Sequence, residues 1–198
     1  MTKRIWWGAV ALLAAGCAKD DNSSMRTLTP LEVRTPLFAI GGQGGNNLGT
    51  HLTGDNEVPL RVTQAQGQAI FRISDDGNSV DYKLIASNID NVFMAHIHLG
   101  AVGTNGPIVV WLAPSTAPVP GPFGSGRHDG VLAEGTFTAV NLVGPLAGHS
   151  FSELLAAMRS ANAYVNVHTN DGVDGTNTGP GDFPGGEIRG WLNVPGSK

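Results

Sequence analysis

The chain has 198 residues, with 12 lysines and arginines against 16 aspartates and glutamates, for a formal net charge of −4. Its few cations form no cluster and have no aromatic platform beside them, which argues against a nucleic-acid partner. The 28 glycines and 12 prolines suit a turn-rich β protein better than a helical one, and the length is enough for one domain with a core.

Lys3 and Arg4 precede an apolar run, Ile5 to Leu13, that is too short to span a bilayer. Leu13-Ala14-Ala15-Gly16-Cys17 then resembles the lipobox of a bacterial lipoprotein signal, with Ala14 a less usual residue at its position. The resemblance implies a signal peptide over residues 1–16, cleavage before Cys17 and acylation of that thiol; the plainer alternative is a secretory signal with an incidental cysteine. Cys17 is the only cysteine, so an internal disulfide is impossible. Several acyl chains on Cys17 would hold the mature protein on a membrane, outside the cytoplasm. Ala18, rather than an aspartate, after the cysteine favours the outer membrane if the host is Gram-negative.

Residues 17–47 read as a tether: polar at Asp20 to Ser24, interrupted by Pro30 and Pro36, and glycine-rich from Gly41 to Asn47. Leu31, Val33, Leu37 and Phe38 leave room for an edge strand within it. The domain proper is placed at residues 48–198. Leu48 to Thr53 reads as a strand, followed by a loop at Gly54 to Pro59. Gln66 to Ser74 alternates, with Ala69, Phe71 and Ile73 on one face and Gln68, Ile70 and Arg72 on the other. Asp75-Asp76-Gly77-Asn78 is a hairpin turn, and Val80, Tyr82, Leu84 and Ala86 alternate on the return strand.

Met94 to Leu99 is the next strand, then a turn at Gly103 to Gly106 and a strand from Ile108 to Leu112. Residues 113–130 read as a long surface loop, and strand signals return from Val131 to Leu142. Ser150-Phe151-Ser152-Glu153 has the form of a capping box and introduces one short helix through Leu154 to Met158. Tyr164 to Thr169 and Glu187 to Val194 complete the strands. Seven to nine short strands with hairpin signals predict an all-β antiparallel sandwich or flattened barrel with one short helix.

The chemistry-bearing residues cluster on three of these strands. His96 and His98 stand two apart on one strand, so both imidazoles leave the same face. His168 lies on the strand Tyr164 to Thr169, and Glu187 with Arg189 on the last one. If these strands are neighbours, His96, His98 and His168 form a copper or zinc site, with Glu187 or Glu57 as ligand or supporting acceptor. The competing reading is a buried polar network in which neutral histidines bond to Glu187, Asn166 and backbone carbonyls. Glu187 and Arg189 likewise either flank a binding pocket or belong to a buried ion-pair network with Glu57. A redox enzyme built on the metal would need an open coordination position as well. His51, His128 and His149 do not share the spacing, and the last two lie in loop-like sequence.

Asp171, Asp174, Asn177 and Asp182 crowd a glycine-rich loop. They suggest a surface calcium site, although an EF-hand register fails, and a solvated loop is the alternative. There is no Gly-x-Ser-x-Gly, phosphate loop, dinucleotide fingerprint or free thiol nucleophile. Trp111 and Trp191 fall in strand sequence and are expected in the core.

Taken together, Leu52-Thr53-Gly54-Asp55-Asn56-Glu57-Val58-Pro59, Ala95-His96-Ile97-His98-Leu99-Gly100, Asn105-Gly106-Pro107, Tyr164 to Thr169 and Gly185-Gly186-Glu187-Ile188-Arg189-Gly190 resemble the chordin-type (CHRD) domain in order and approximate spacing. The resemblance covers roughly residues 48–193. It implies an immunoglobulin-like or superoxide-dismutase-like all-β architecture and no established chemistry. In animal chordins such domains accompany growth-factor-binding modules; bacterial members are mostly secreted or lipid-anchored single domains. The chain departs from the pattern at Asn170 to Phe183, which is longer than the usual short link. The expectation is therefore a lipid-anchored, non-catalytic binding module with a protein or glycan partner, and a copper- or zinc-binding protein is the alternative.

Overall fold

The alternating segments pair into one antiparallel sheet in a computed structural model that describes residues 45–115, 121–173 and 178–192. Cys17, the strand candidates at Leu31 to Phe38, Asp174, Asn177 and Val194 lie outside the described residues. The strands are β1 Asn47–Thr53, β2 Gln66–Ile73, β3 Ser79–Asp90 and β4 Val92–Leu99. They continue with β5 Ile108–Ala113, β6 Arg127–Thr138, β7 Ala163–Thr169 and β8 Ile188–Trp191. One helix, α1 at Phe151–Arg159, joins β6 to β7.

The order across the sheet is β5-β4-β7-β8-β1-β2-β3-β6. The sheet curves until its edge strands β5 and β6 approach, so the fold is the expected all-β flattened barrel, nearly closed. The Tyr82 hydroxyl on β3 reaches across the interior to donate to the Leu112 carbonyl on β5, at 2.7 Å. Leu52, Phe71, Leu84, Ile97, Val165 and Ile188 fill that interior, one face from each contributing strand. Full burial of each such side chain stabilises by roughly 1.5–3 kcal/mol. In α1, Phe151, Leu154, Leu155 and Met158 turn one apolar stripe onto the core and cover the end where β6 stops and β7 begins.

The β2–β3 hairpin forms as its alternation predicts, with Ala69, Phe71 and Ile73 buried opposite Leu84, Tyr82 and Val80. Gly77 takes φ +70° in the turn, a conformation that costs glycine little. Three expectations need correction. β6 begins at Arg127, so residues 113–130 are not all loop. It ends at Thr138, where Ala139–Asn141 turn into a 3₁₀ helix in place of a strand through Leu142. The capping box before α1 does not close, because the Ser150 hydroxyl donates to the Glu153 carboxylate at 3.0 Å and leaves the backbone uncapped by a side chain.

Candidate functional site

β4, β7 and β8 lie side by side, and their period-two alternation sorts their residues into two layers. Ala95, Ile97, Ala163, Val165, Val167 and Ile188 face the barrel core. The opposite face carries His96 and His98 on β4, Tyr164, Asn166 and His168 on β7, and Arg189 and Trp191 on β8. Register aligns them: His96 stands opposite Asn166, which stands opposite Arg189, and His98 opposite Tyr164, which stands opposite Trp191. Every residue of β7 is buried, so this outer layer is roofed rather than solvated. The roof consists of the turn before β5 and the connections before β2 and β8, which bond to it as described below.

The sheet brings His96, His98 and His168 together, with one ring nitrogen of each within 4.8 Å of the others. They are the one group of three or more such ligating side chains among the described residues. Two backbone carbonyls set the proton positions. His98 Nδ1 lies 2.9 Å from the Gly106 oxygen, and His168 Nδ1 lies 2.8 Å from the Pro184 oxygen. A carbonyl only accepts, so both imidazoles carry their proton on Nδ1 and keep a lone pair on Nε2. His96 Nδ1 donates to the His168 Nε2 lone pair at 3.2 Å. That leaves Nε2 of His96 and of His98 buried without a partner.

Aromatic neighbours fix the rings. His98 stacks on Tyr164 at 4.8 Å between centroids with 3° between planes, and Trp111 stands edge-on to His96 at 4.3 Å. Phe93 meets His168 edge-on at 6.3 Å. The Gly106 backbone is pressed against Leu99, and a Cβ on Gly106 would collide with the Leu99 carbonyl oxygen. Glycine at this position thus lets the turn carry its carbonyl to His98. Burial keeps the three imidazoles neutral, lowering them to about 4 at His98, about 3 at His168 and about 2 at His96. Proximity of the other rings adds to this at His96, and the Arg189 charge adds to it at His98 and His168, against the carbonyl bonds that favour protonation at the latter two.

The acidic residues go elsewhere. Arg189 Nη2 donates to Glu57 at 2.9 Å and to Asn105 at 2.7 Å, and Nη1 donates to the Thr104 carbonyl at 3.3 Å. Its guanidinium lies over the Tyr164 ring at 4.3 Å. Asn166 donates to Glu57 at 3.0 Å, so Glu57, Asn166 and Arg189 form one buried cluster beside the histidines. Burial lifts the Glu57 carboxyl to about 7, even with Arg189 and Arg61 lowering it. Glu187 precedes β8 and has hydrogen-bond partners of its own. It accepts from Thr63 at 2.6 Å, Thr169 at 2.7 Å and the Gly181 amide at 2.9 Å. Glu187 and Arg189 both hold the connection before β2, while Arg189 also ties down the turn before β5 and Glu187 the link before β8.

In the long link after β7, Asp171 accepts from the Val173 amide at 2.9 Å, and buried Asp182 accepts from the Thr178 amide and hydroxyl at 3.1 and 2.5 Å. Asp171 and Asp182 shape that link by turn bonding. Trp111 and Trp191 lie on the outer layer rather than in the barrel core, Trp191 donating to the Gly100 carbonyl at 3.2 Å. His128 is a half-buried residue of β6, not of a loop, and exposed His149 pairs with Glu153 at 2.9 Å. Tyr164 was legible by its parity with Asn166 and His168. The carbonyls of Gly106 and Pro184 carry no side-chain signal and emerge only from the folded loops.

The molecule so defined is an all-β domain with a hydrophobic barrel interior and a second, roofed polar layer centred on three histidines. The CHRD domain family model matches residues 48–192, and the chain belongs to that family. No curated protein matches it.

Proposed function

We propose that the protein is a lipid-anchored binding module that works outside the cytoplasm and performs no catalysis of its own. One observation carries this reading: the buried charges are spent on holding loops, while the loops present apolar side chains to solvent. Glu57, Glu187 and Arg189 are buried and bonded within the domain. Leu60 and Val62 after β1, Phe123 between β5 and β6, and Val173 after β7 are exposed. Those three connections leave the barrel at one end, because β1, β5 and β7 run in the same direction in the antiparallel order. Two of them are joined, since the Gly124 amide donates to the Asn170 carbonyl at 3.0 Å and Phe123 rests on Phe93 at 5.3 Å. Apolar residues on loops held by a rigid frame suit a protein or glycan partner. Acylation at Cys17 and the tether at 17–47 would keep the domain close to a membrane surface while leaving it free to meet a partner.

The test combines fractionation with cross-linking in cells. Wild type is expected with the membranes, and Cys17→Ser in the soluble extracytoplasmic fraction. A photoreactive residue replacing Phe123 should give discrete adducts, whereas one replacing Asn78, in the hairpin at the other end, should not. A wild-type protein that stays in the cytoplasm, or equal adducts from both positions, would contradict the proposal.

A further inference from the structure

We infer that His96, His98 and His168 form a binding site for one monovalent copper ion. The site is distinct from the loop surface proposed above, and failure of either leaves the other standing.

The geometry already has the features of a ligand set before any ion is considered. The ligating nitrogens lie within 4.8 Å of one another, and the carbonyls of Gly106 and Pro184 take the Nδ1 protons of His98 and His168. A metal-bound histidine characteristically gives its other ring N–H to such an acceptor, which fixes the tautomer and orients the lone pair. Stacking on Tyr164 and the edge contact with Trp111 hold two of the rings in place. The polar bookkeeping is incomplete without a ligand: Nε2 of His98 is a buried lone pair with no donor, and Nε2 of His96 is buried without a partner. Buried polar atoms are nearly always satisfied in native proteins, so two orphans in one cluster call for an explanation.

A cation supplies one for the His98 lone pair, while His96 Nε2 has no partner with or without the ion. As it enters, it replaces the His96–His168 hydrogen bond. His96 moves its proton from Nδ1 to Nε2 and turns the Nδ1 lone pair to the ion, while His98 and His168 use Nε2. The three ligands are neutral before and after, so no proton is released.

Charge selects the metal. The group of three contains no carboxylate, Glu57 and Glu187 are committed to other partners, and the charge that acts on His98 and His168 is the Arg189 cation. A divalent ion would bring a net double charge into a buried site with no counter-ion, at about four times the desolvation cost of a monovalent ion of the same size. Copper(I) carries one charge and is the soft first-row ion for which nitrogen and sulfur ligands compete well. Met94 offers sulfur nearby in register: it is half-buried on the same face of β4, two residues before His96 and directly opposite His168.

The experiment titrates the full chain in detergent, without oxygen, with copper(I) against a chromophoric copper(I) chelator, and in parallel with zinc(II). Histidine ring ¹⁵N resonances are followed throughout. One copper(I) per chain is expected, with ring shifts at His96, His98 and His168 and none at His51, His128 or His149. Zinc(II) should bind at least about tenfold more weakly. His98→Phe, which keeps a ring against Tyr164, should lose at least about tenfold in copper(I) affinity. The proposal is overturned if wild type binds no copper(I), if the other three histidines shift instead, if zinc(II) binds more tightly, or if folded His98→Phe retains full affinity. Should His98→Phe not fold, the ring shifts of the wild-type protein decide the matter alone.

Discussion

Arg189→Ala is expected to lower the stability of the domain by about 3–5 kcal/mol, the usual cost of removing one partner from a buried charge pair. Arg189 sits at 2% exposure with Glu57 at 2.9 Å, and Asn105 and the Thr104 carbonyl complete its bonding. Its removal strands a buried carboxyl and releases the turn whose Gly106 carbonyl orients His98. Glu57 can limit the damage by taking up a proton, since burial already lifts it to about 7. The loss should therefore be larger at pH 8 than at pH 6. Glu57→Gln combined with Arg189→Met should recover much of the stability, because replacing a whole buried pair is commonly neutral or better. Urea denaturation of the wild type, both single variants and the double variant at the two pH values measures each term. A double variant as unstable as Arg189→Ala would show that the guanidinium acts through packing on Tyr164 rather than through charge.

Acid should unfold the metal-free protein chiefly through its buried histidines, which the unfolded chain protonates far more readily than the folded one. In the folded state His98, His168 and His96 accept protons only at about 4, 3 and 2, against 6.5 for a free imidazole. Below pH 6.5 the unfolded chain binds more protons than the native one, so stability falls as pH falls through this window. By pH 4 the loss is roughly 3 kcal/mol for each imidazole, or about 10 kcal/mol in all. Glu57 opposes this: raised from 4.5 to about 7, it binds its proton more readily in the folded state. It returns about 3 kcal/mol between pH 7 and 4.5. The net loss of about 7 kcal/mol is comparable to the whole stability of a typical domain, 5–15 kcal/mol. Circular dichroism and tryptophan fluorescence between pH 8 and 3 should show cooperative unfolding near about pH 4–5. A urea midpoint unchanged from pH 7 to pH 4 would contradict this account.

How much of this was legible beforehand depended on distance along the chain. The β2–β3 hairpin was readable because strict alternation and a glycine-bearing turn lie within a few residues of each other. The shared face of His96 and His98 followed from a period of two. That His168 would join them required the β4–β7 pairing, and nothing local in either strand encodes which strand will be its neighbour. The same holds for Glu57 and Arg189: an ion pair with both was among the readings, but the split of Glu187 to Thr63, Thr169 and Gly181 was not. β6 began earlier than read because Arg127-His128-Asp129-Gly130 shows no apolar alternation; much of that stretch faces solvent on both sides. Ser150 and Glu153 carried the right residue types for a capping box, yet side chain bonded to side chain and His149 competed for the same carboxylate.

Three neutral imidazoles meet under a roof of two backbone carbonyls, with the Nδ1 protons of His98 and His168 fixed and the His98 Nε2 lone pair left open. The most direct measurement is long-range ¹H–¹⁵N correlation of the histidine rings in the metal-free full chain at pH 7, repeated down to the onset of acid unfolding. His98 and His168 should be Nδ1–H tautomers with unprotonated Nε2. Neither they nor His96 should titrate before the fold is lost. Protonation of any of the three near pH 6.5 in the folded protein, or Nε2–H tautomers at His98 and His168, would contradict this arrangement.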